Sequence, residues 1–270
     1  MKHRAYILFI AAILLALCVT SCRRDAAFHD ALLRAEALME SDPREARAIL
    51  DSLFSEQRSV NREQIIPKQS NGEHSSNHYS LITNHSKKDV AHYALLKTQA
   101  DYKCDVPLTS DSLILLATDY YGTKRKSQRA ALAQHYLGCT YREMHRDLDA
   151  IEAQLRATTL FPDTTNKYFA NSLFELGLLY YKHYMVDSAW VAFGRYRRTE
   201  SCNSDSANIG YADFYMGTIA LYHDDDELTD SLFQCVLNNT KTTNYNRFTT
   251  YFQLAKLRFY HQHDIEGALA

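Results

Sequence analysis

The side chains with chemical potential are 6 cysteines, 12 histidines and one short acidic run. Cys22 is the most informative of them. It follows Val19, Thr20 and Ser21 at the end of an uncharged, mostly apolar stretch that starts at Ala5, and Lys2, His3 and Arg4 precede that stretch. A basic start, a short apolar run and a small-residue cleavage site define a secretory signal. A membrane-spanning helix needs about 20 apolar residues. The stretch between Arg4 and Cys22 is shorter than that, and its Thr20 and Ser21 are not apolar. The expected products are a signal at 1–21 and a mature chain that begins at Cys22.

Cys104, Cys139, Cys202 and Cys235 remain in that mature chain. No Cys-x-x-Cys spacing is present, so the set does not read as a zinc site. An oxidising compartment permits pairing, yet three of the four fall in apolar helical patterns, where a free thiol behaves as a small buried hydrophobe. Their disulfide state stays open. His74, His78 and His85 lie in a polar stretch, and His261 and His263 alone are a weak metal signal. Asp224, Asp225, Asp226 and Glu227 lack the spacing of a calcium loop and read as a solvated turn. No G-x-S-x-G, H-E-x-x-H or phosphate-binding glycine loop occurs. The sequence therefore predicts no catalytic residue, no metal and no cofactor. Loss of Lys2 and Arg4 takes the formal net charge from −2 to −4, which offers nothing to nucleic-acid phosphates.

The elements that position these residues read as helices. Eight glycines and four prolines are few for 270 residues, and low Gly and Pro with many good helix formers favour helix. Residues 22–56 form a helical hairpin. Leu32, Leu33, Ala35, Leu38 and Met39 recur at helical spacing, Ser41-Asp42-Pro43 turns the chain, and Ala46, Ile49, Leu50 and Leu53 stripe the second helix. Residues 57–89 are polar and aperiodic and read as a disordered insertion. Helical periodicity returns at 90 and continues to 270, where Ile265–Ala270 reads as the middle of a helix without a cap, as in a truncated chain.

Within 90–270 the chain repeats itself. Gly138, Gly177 and Gly217 recur at almost equal steps, each preceded by Leu137, Leu176 or Met216. Tyr141 and Tyr180 follow the first two glycines at a common offset, and so do Ala150 and Ala189. Phe193 and Phe233 stand at one shared offset beyond Gly177 and Gly217. Ala157 and Pro162 complete the first unit. This spacing resembles the tetratricopeptide repeat, W-x₂-L-G-x₂-Y…A-x₃-F…A…P. Gln134, Leu173 and Asp213 stand at the Trp position, and the Gly217 unit has Ala220 and Thr229 in place of Tyr and Ala. The steps between the glycines are longer than the repeat of roughly 34 usual in the family. The resemblance implies an all-α, right-handed superhelical solenoid of antiparallel helix pairs, whose small residues let paired helices approach and whose repeats must stack to bury their apolar faces.

A second echo is Asp-Ser-apolar at 51–53, 111–113, 187–189 and 230–232, with Asp163-Thr164-Thr165 and Asp205-Ser206-Ala207 of similar form. These read first as helix N-caps. They also resemble the O-glycosylation sequon of Bacteroidota secreted proteins.

Val19-Thr20-Ser21-Cys22 resembles a lipobox, which implies lipidation of Cys22 and a membrane anchor; several acyl chains hold firmly at about 0.8 kcal/mol per buried CH₂. The chain as a whole, over 22–57 and 90–270, resembles the tetratricopeptide-repeat lipoproteins of Bacteroidota. That resemblance implies a noncatalytic protein-interaction scaffold facing the periplasm or the outside, with the outer membrane favoured because Arg23 rather than aspartate follows Cys22. Its alternatives are the sensory module of a truncated transmembrane signalling or transcription regulator, and an outer-membrane glycan-binding nutrient-uptake lipoprotein. In the repeat family the first helix of each pair lines a concave groove. Transferred residue by residue, the groove candidates are His135, Cys139 and Arg142, then Asn171, Leu178, Tyr181 and Lys182, then Tyr211, Phe214, Thr218 and Tyr222. The implied partner is a protein or peptide.

Overall fold

Ser86, Ser127, Asn166, Asp205 and Thr243 sit in extended backbone, and the side chain of each accepts a hydrogen bond from a backbone N–H two or three residues later. Each thereby satisfies one of the donors that a helix N-terminus leaves free. The caps from Ser127 to Thr243 recur at almost the same step as Gly138, Gly177 and Gly217, so the period of the glycines is also the period of the helix starts.

The computed structural model describes residues 25–62, 85–122 and 125–269. Those residues are helical with connecting turns, and no strand occurs among them. The chain divides into two compact units after Gly122. The first contains α1 (25–38), α2 (Pro43–Arg62), α3 (Lys87–Lys103) and α4 (Ser112–Tyr121). The second contains α5 (Gln128–Glu143), α6 (Asp147–Leu160), α7 (Lys167–Lys182), α8 (Val186–Arg197), the single turn α9 (Glu200–Asn203), α10 (Ser206–Tyr222), α11 (Asp226–Asn238) and α12 (Asn244–Lys256). A π turn over Leu257–His261 and the short α13 (Ile265–Leu269) follow. Consecutive helices pack in pairs, α3 with α4, α5 with α6, α7 with α8 and α10 with α11. The architecture is thus an all-helical repeat of adjacent pairs.

The turns inside the pairs recur as closely as the caps. Asp105, His145, Tyr184 and Asp224 adopt left-handed φ values of 55°, 59°, 57° and 59°. The next residue in each case donates its N–H back across the turn, to Asp101, Tyr141, Tyr180 and Ala220 carbonyls respectively. The left-handed residue itself donates to Tyr102, Arg142, Tyr181 and Leu221 carbonyls. This is the Schellman arrangement, which usually places glycine at the left-handed site. Here a side chain occupies it every time, against a preference of about 1–2 kcal/mol for the right-handed region.

In the first unit, Phe28, Leu32, Ala35, Met39, Ala46 and Leu50 of the hairpin are buried with Tyr93, Leu96 and Ala100 of α3. Around that core run ion pairs from the hairpin to α3: His29 with Asp89 at 2.9 Å, Arg47 with Asp101 at 2.8 Å, and Lys103 with Glu40 at 2.9 Å.

In the second unit the shared glycine-to-phenylalanine offset becomes a contact. A Cβ added to Gly177 would lie 2.6 Å from the ring of Phe193, and one added to Gly217 would lie 2.6 Å from that of Phe233. The helices cross where glycine admits a phenyl ring, and both rings are fully buried. At Gly138 the same place is taken by Gln154, also at 2.6 Å. Ala150, Ala189 and Thr229, which hold equivalent positions beyond the three glycines, are all 0 % exposed.

Two expectations need correction. The segment expected to be structureless over 57–89 is helical at both ends, since α2 runs to Arg62 and α3 starts at Lys87 after the Ser86 cap. Glu56, Gln57 and Arg58 are good helix formers, so α2 continues past its apolar stripe. Residues 63–84, with His74 and His78, lie outside the described residues. Asp205 apart, the Asp-Ser echoes are not caps. Asp51 and Asp230 fall within α2 and α11, Asp187 falls in the first turn of α8, and Asp111 flanks α4 without a side-chain cap bond. Of that set only Asp205 caps its helix, and Asp225 of the acidic run caps α11. Ser52, Thr164, Ser188 and Ser231 are exposed.

Candidate binding surface

The first helices of three pairs, α5, α7 and α10, carry the candidate residues. Their fates differ because helical spacing gives a face only to within a residue or so.

His135 and Cys139 do not line any exposed surface, being 2 % and 1 % exposed. This corrects the expectation for both. His135 Nδ1 lies 3.1 Å from Gln154 Oε1 and 2.9 Å from Ser172 Oγ, while Nε2 lies 3.8 Å from Cys139 Sγ. The Gln154 amide also donates to the His135 carbonyl at 3.0 Å. Burial drives the imidazole pKa down to about 4, with the Arg142 charge adding to the fall against the Gln154 hydrogen bond. The group is a neutral core histidine that stitches α5, α6 and α7 together.

Arg142 is partly exposed but committed. Its guanidinium holds both oxygens of Glu175 on α7, at 2.7 and 2.5 Å. Burial raises the Glu175 pKa, and Arg142 opposes that shift. Lys182 turns away from its neighbour Tyr181 and pairs with Asp147 at the start of α6, at 2.6 Å. His183 joins the same carboxylate at 2.9 Å. The hydrogen bond from Lys182, and then that from His183, hold the Asp147 carboxyl below its ordinary range. Asn171 is exposed, and Tyr222 is 63 % exposed against the ring of His223. Leu178 packs on the α7–α8–α10 core, and the Thr218 hydroxyl is used on the Phe214 carbonyl.

Tyr181, Tyr211 and Phe214 are brought together. Their common neighbours are Phe174 and Tyr215, which the sequence register did not single out. Tyr181 and Tyr215 meet edge-on at 5.6 Å, Tyr211 lies 6.3 Å from Phe174, and Phe214 lies 5.3 Å from Tyr215. Tyr215 stacks on the buried Phe193 at 4.8 Å, so the surface cluster rests directly on the helix crossing. Aromatic pairs at these separations contribute beyond their buried area. The spacing signal for Phe174 and Tyr215 was present: each lies two or three residues before a crossing glycine.

The tyrosines of this patch are half-buried, and among the described residues no protein group takes their hydroxyls as hydrogen-bond partners. Burial raises the pKa of Tyr181 and of Tyr215. Tyr181, Tyr245 and Tyr211 lie close enough to push Tyr215 up further. The patch therefore crosses α7 and α10, presenting ring faces and neutral donors. On α12 itself Tyr245, Phe248, Tyr251 and Phe252 are each more than half exposed. A second unpredicted feature lies beneath. Asp213, at the Trp position of its repeat, is 4 % exposed and is held by Arg197 of α8 at 2.9 Å.

No disulfide joins cysteines among the described residues: Cys139 and Cys202 are buried, Cys104 is intermediate and Cys235 is exposed. Burial lifts the Cys202 thiol to about 11. No trio of His, Cys, Asp or Glu among the described residues stands where it could hold a metal ion. Asp226 is instead paired with His261 at 2.9 Å.

These features define a class, an all-helical protein of stacked helix pairs whose period is marked by Gly138, Gly177 and Gly217, with an aromatic patch on its first helices. No protein-family model matches the chain, and no curated protein matches it in sequence.

Proposed function

We propose that this chain is a noncatalytic protein-interaction module of tetratricopeptide type, lipid-anchored through Cys22 and displayed outside the cytoplasm. The observation that carries the binding role is the patch of Phe174, Tyr181, Tyr211 and Tyr215. Tyrosine offers a large, stiff contact area and a polar tip at low entropic cost, and aromatic side chains are enriched at the cores of protein interfaces. Hydroxyls that are half-buried yet unused by the protein suit the backbone carbonyls of an extended peptide. The recurrence of caps, glycine crossings and Schellman turns supports the repeat assignment.

Cys22 lies outside the described residues, and its role rests on the lipobox resemblance. Among the described residues no helix is long and apolar enough to cross a membrane. Arg23 after the cysteine favours the outer membrane.

Two experiments bear on this function. Intact mass of membrane-extracted protein is expected to show a chain that starts at Cys22 with added acyl mass, absent in Cys22→Ala. A chain that starts at Met1 contradicts the anchor. For the patch, Tyr181→Ala with Tyr211→Ala is expected to reduce recovery of co-purifying envelope proteins at least tenfold, while Ser188→Ala leaves it unchanged. Equal recovery from both variants places binding elsewhere.

A further inference from the structure

A recess of about 430 Å³ opens in the second unit between the α6–α7 connection, the start of α7 and the end of α8. Thr164, Thr165, Phe169, Leu173, Arg195, Arg198 and Thr199 line it. Its floor is apolar, since Phe169 and Leu173 are 6 % and 1 % exposed. Its rim is cationic. Arg195 and Arg198 are exposed, and among the described residues neither has a carboxylate within ion-pair distance. Their neighbour Arg197 differs, being committed to Asp213 and Asn203.

The free donors at the rim can be counted off. The Thr199 hydroxyl is spent on the Tyr196 carbonyl, and the Thr165 hydroxyl is spent on Asp163. Thr164 is exposed and its hydroxyl has no partner among the described residues. Two guanidinium forks and one hydroxyl are left facing the opening. Arg195 also lies over the Phe169 ring, with its guanidinium carbon 6.0 Å from the centroid, so part of its position is fixed before any ligand arrives. The carboxylate of Asp163, next to the rim, has its oxygens engaged by the Thr165 amide and hydroxyl.

Basic residues in the last turn of a helix compensate its dipole, and that would explain arginine at the end of α8. It does not explain why the two arginines border an apolar-floored recess, or why neither is paired among the described residues. Guanidinium groups bind carboxylates and other oxyanions through two parallel hydrogen bonds. An apolar floor beside such a rim selects a ligand whose anionic group is attached to a compact hydrophobic group.

We propose that this recess is a second binding site, distinct from the tyrosine patch, for an organic carboxylate carrying an aromatic or branched apolar group. Arg195 and Arg198 hold the carboxylate, Thr164 adds a donor, and Phe169 and Leu173 receive the apolar group. The site does not depend on the patch, because none of its residues belongs to it.

The test is calorimetric titration of the mature chain with N-acetylphenylalanine, with N-acetylphenylalanine amide and inorganic phosphate as comparison probes. Saturable binding of the acid is expected, with the amide at least tenfold weaker and phosphate also weaker. Arg195→Gln and Arg198→Gln are each expected to weaken the acid at least tenfold. Both side chains are exposed, so either variant should still fold cooperatively, which its thermal melt checks. Absence of saturable binding, equal binding of acid and amide, or undiminished binding by both variants overturns the site. Phosphate bound as tightly as the acid overturns the assigned ligand class, because the floor would then contribute nothing.

Discussion

Replacing Phe193 with alanine is expected to destabilise the fold by about 3–5 kcal/mol, the range for emptying a fully buried phenyl site. Phe193 is 0 % exposed, fills the space left by Gly177 and carries the stacked ring of Tyr215 at 4.8 Å. The complementary change, Gly177→Ala, sets two effects against each other. Alanine is worth up to about 1 kcal/mol over glycine inside a helix. Overpacking a tight core costs about 1–3 kcal/mol. The new Cβ would fall 2.6 Å from a ring carbon of Phe193, and that ring is wedged against Tyr215 and Phe174, so the clash should win. Combining Gly177→Ala with Phe193→Leu should cost less than the sum of the two single changes, because the smaller side chain makes room for the methyl. Urea unfolding of the parent, the two single variants and the double variant measures this directly. A neutral or stabilising Gly177→Ala would mean that the helices do not cross at that glycine.

Acidification from pH 7 toward pH 4 is expected to remove about 3 kcal/mol of stability through His135 alone. The sign follows from where the proton binds. An unfolded histidine takes up a proton near its ordinary value, about 6.5, whereas the buried imidazole resists protonation down to about 4. Between those limits the unfolded state holds the extra proton, so stability falls as pH falls and then levels off below the folded value. A charged ring would need a partner for each nitrogen. Nε2 has only the Cys139 sulfur, at 3.8 Å, and Arg142 adds positive charge nearby. Urea midpoints at pH 7, 6, 5 and 4.5 should fall for the parent chain and fall less for His135→Gln. The difference between the two curves isolates this residue from the exposed histidine–carboxylate pairs. Parallel curves would contradict the burial of a neutral imidazole.

The register of the repeat was legible because it depends on residues that periodicity exposes. Glycines at 138, 177 and 217, the last two with a phenylalanine at the same offset beyond them, are set by steric complementarity, and only a close helix crossing requires that pattern. The turns were less legible. Their left-handed positions hold Asp, His, Tyr and Asp, so the usual glycine signal for a helix end is missing. Facing was the least legible. His135 and Tyr215 both lie two or three positions before their crossing glycine, yet one is sealed between three helices and the other is half-exposed. They stand one position apart in register, and the opposing residues differ too: Gln154 and Ser172 offer polar partners to a buried imidazole, whereas Phe193 offers a flat ring to a half-buried tyrosine. A helical wheel does not contain that information. The Asp-Ser echoes misled for a related reason, since a good capping residue caps only where the helix actually begins, and Ser127, Asn166 and Thr243 perform that task instead.

If the tyrosine patch across α7 and α10 is where a protein partner docks, a photoreactive group within it must meet that partner. Site-specific crosslinking in intact cells puts this to the test, with a benzoylphenylalanine placed at Tyr211 and, separately, at Val191 on the exposed face of α8. A discrete higher-mass adduct is expected from position 211 and none from position 191. Adducts of equal yield from both positions, or none from position 211, would contradict docking at the patch.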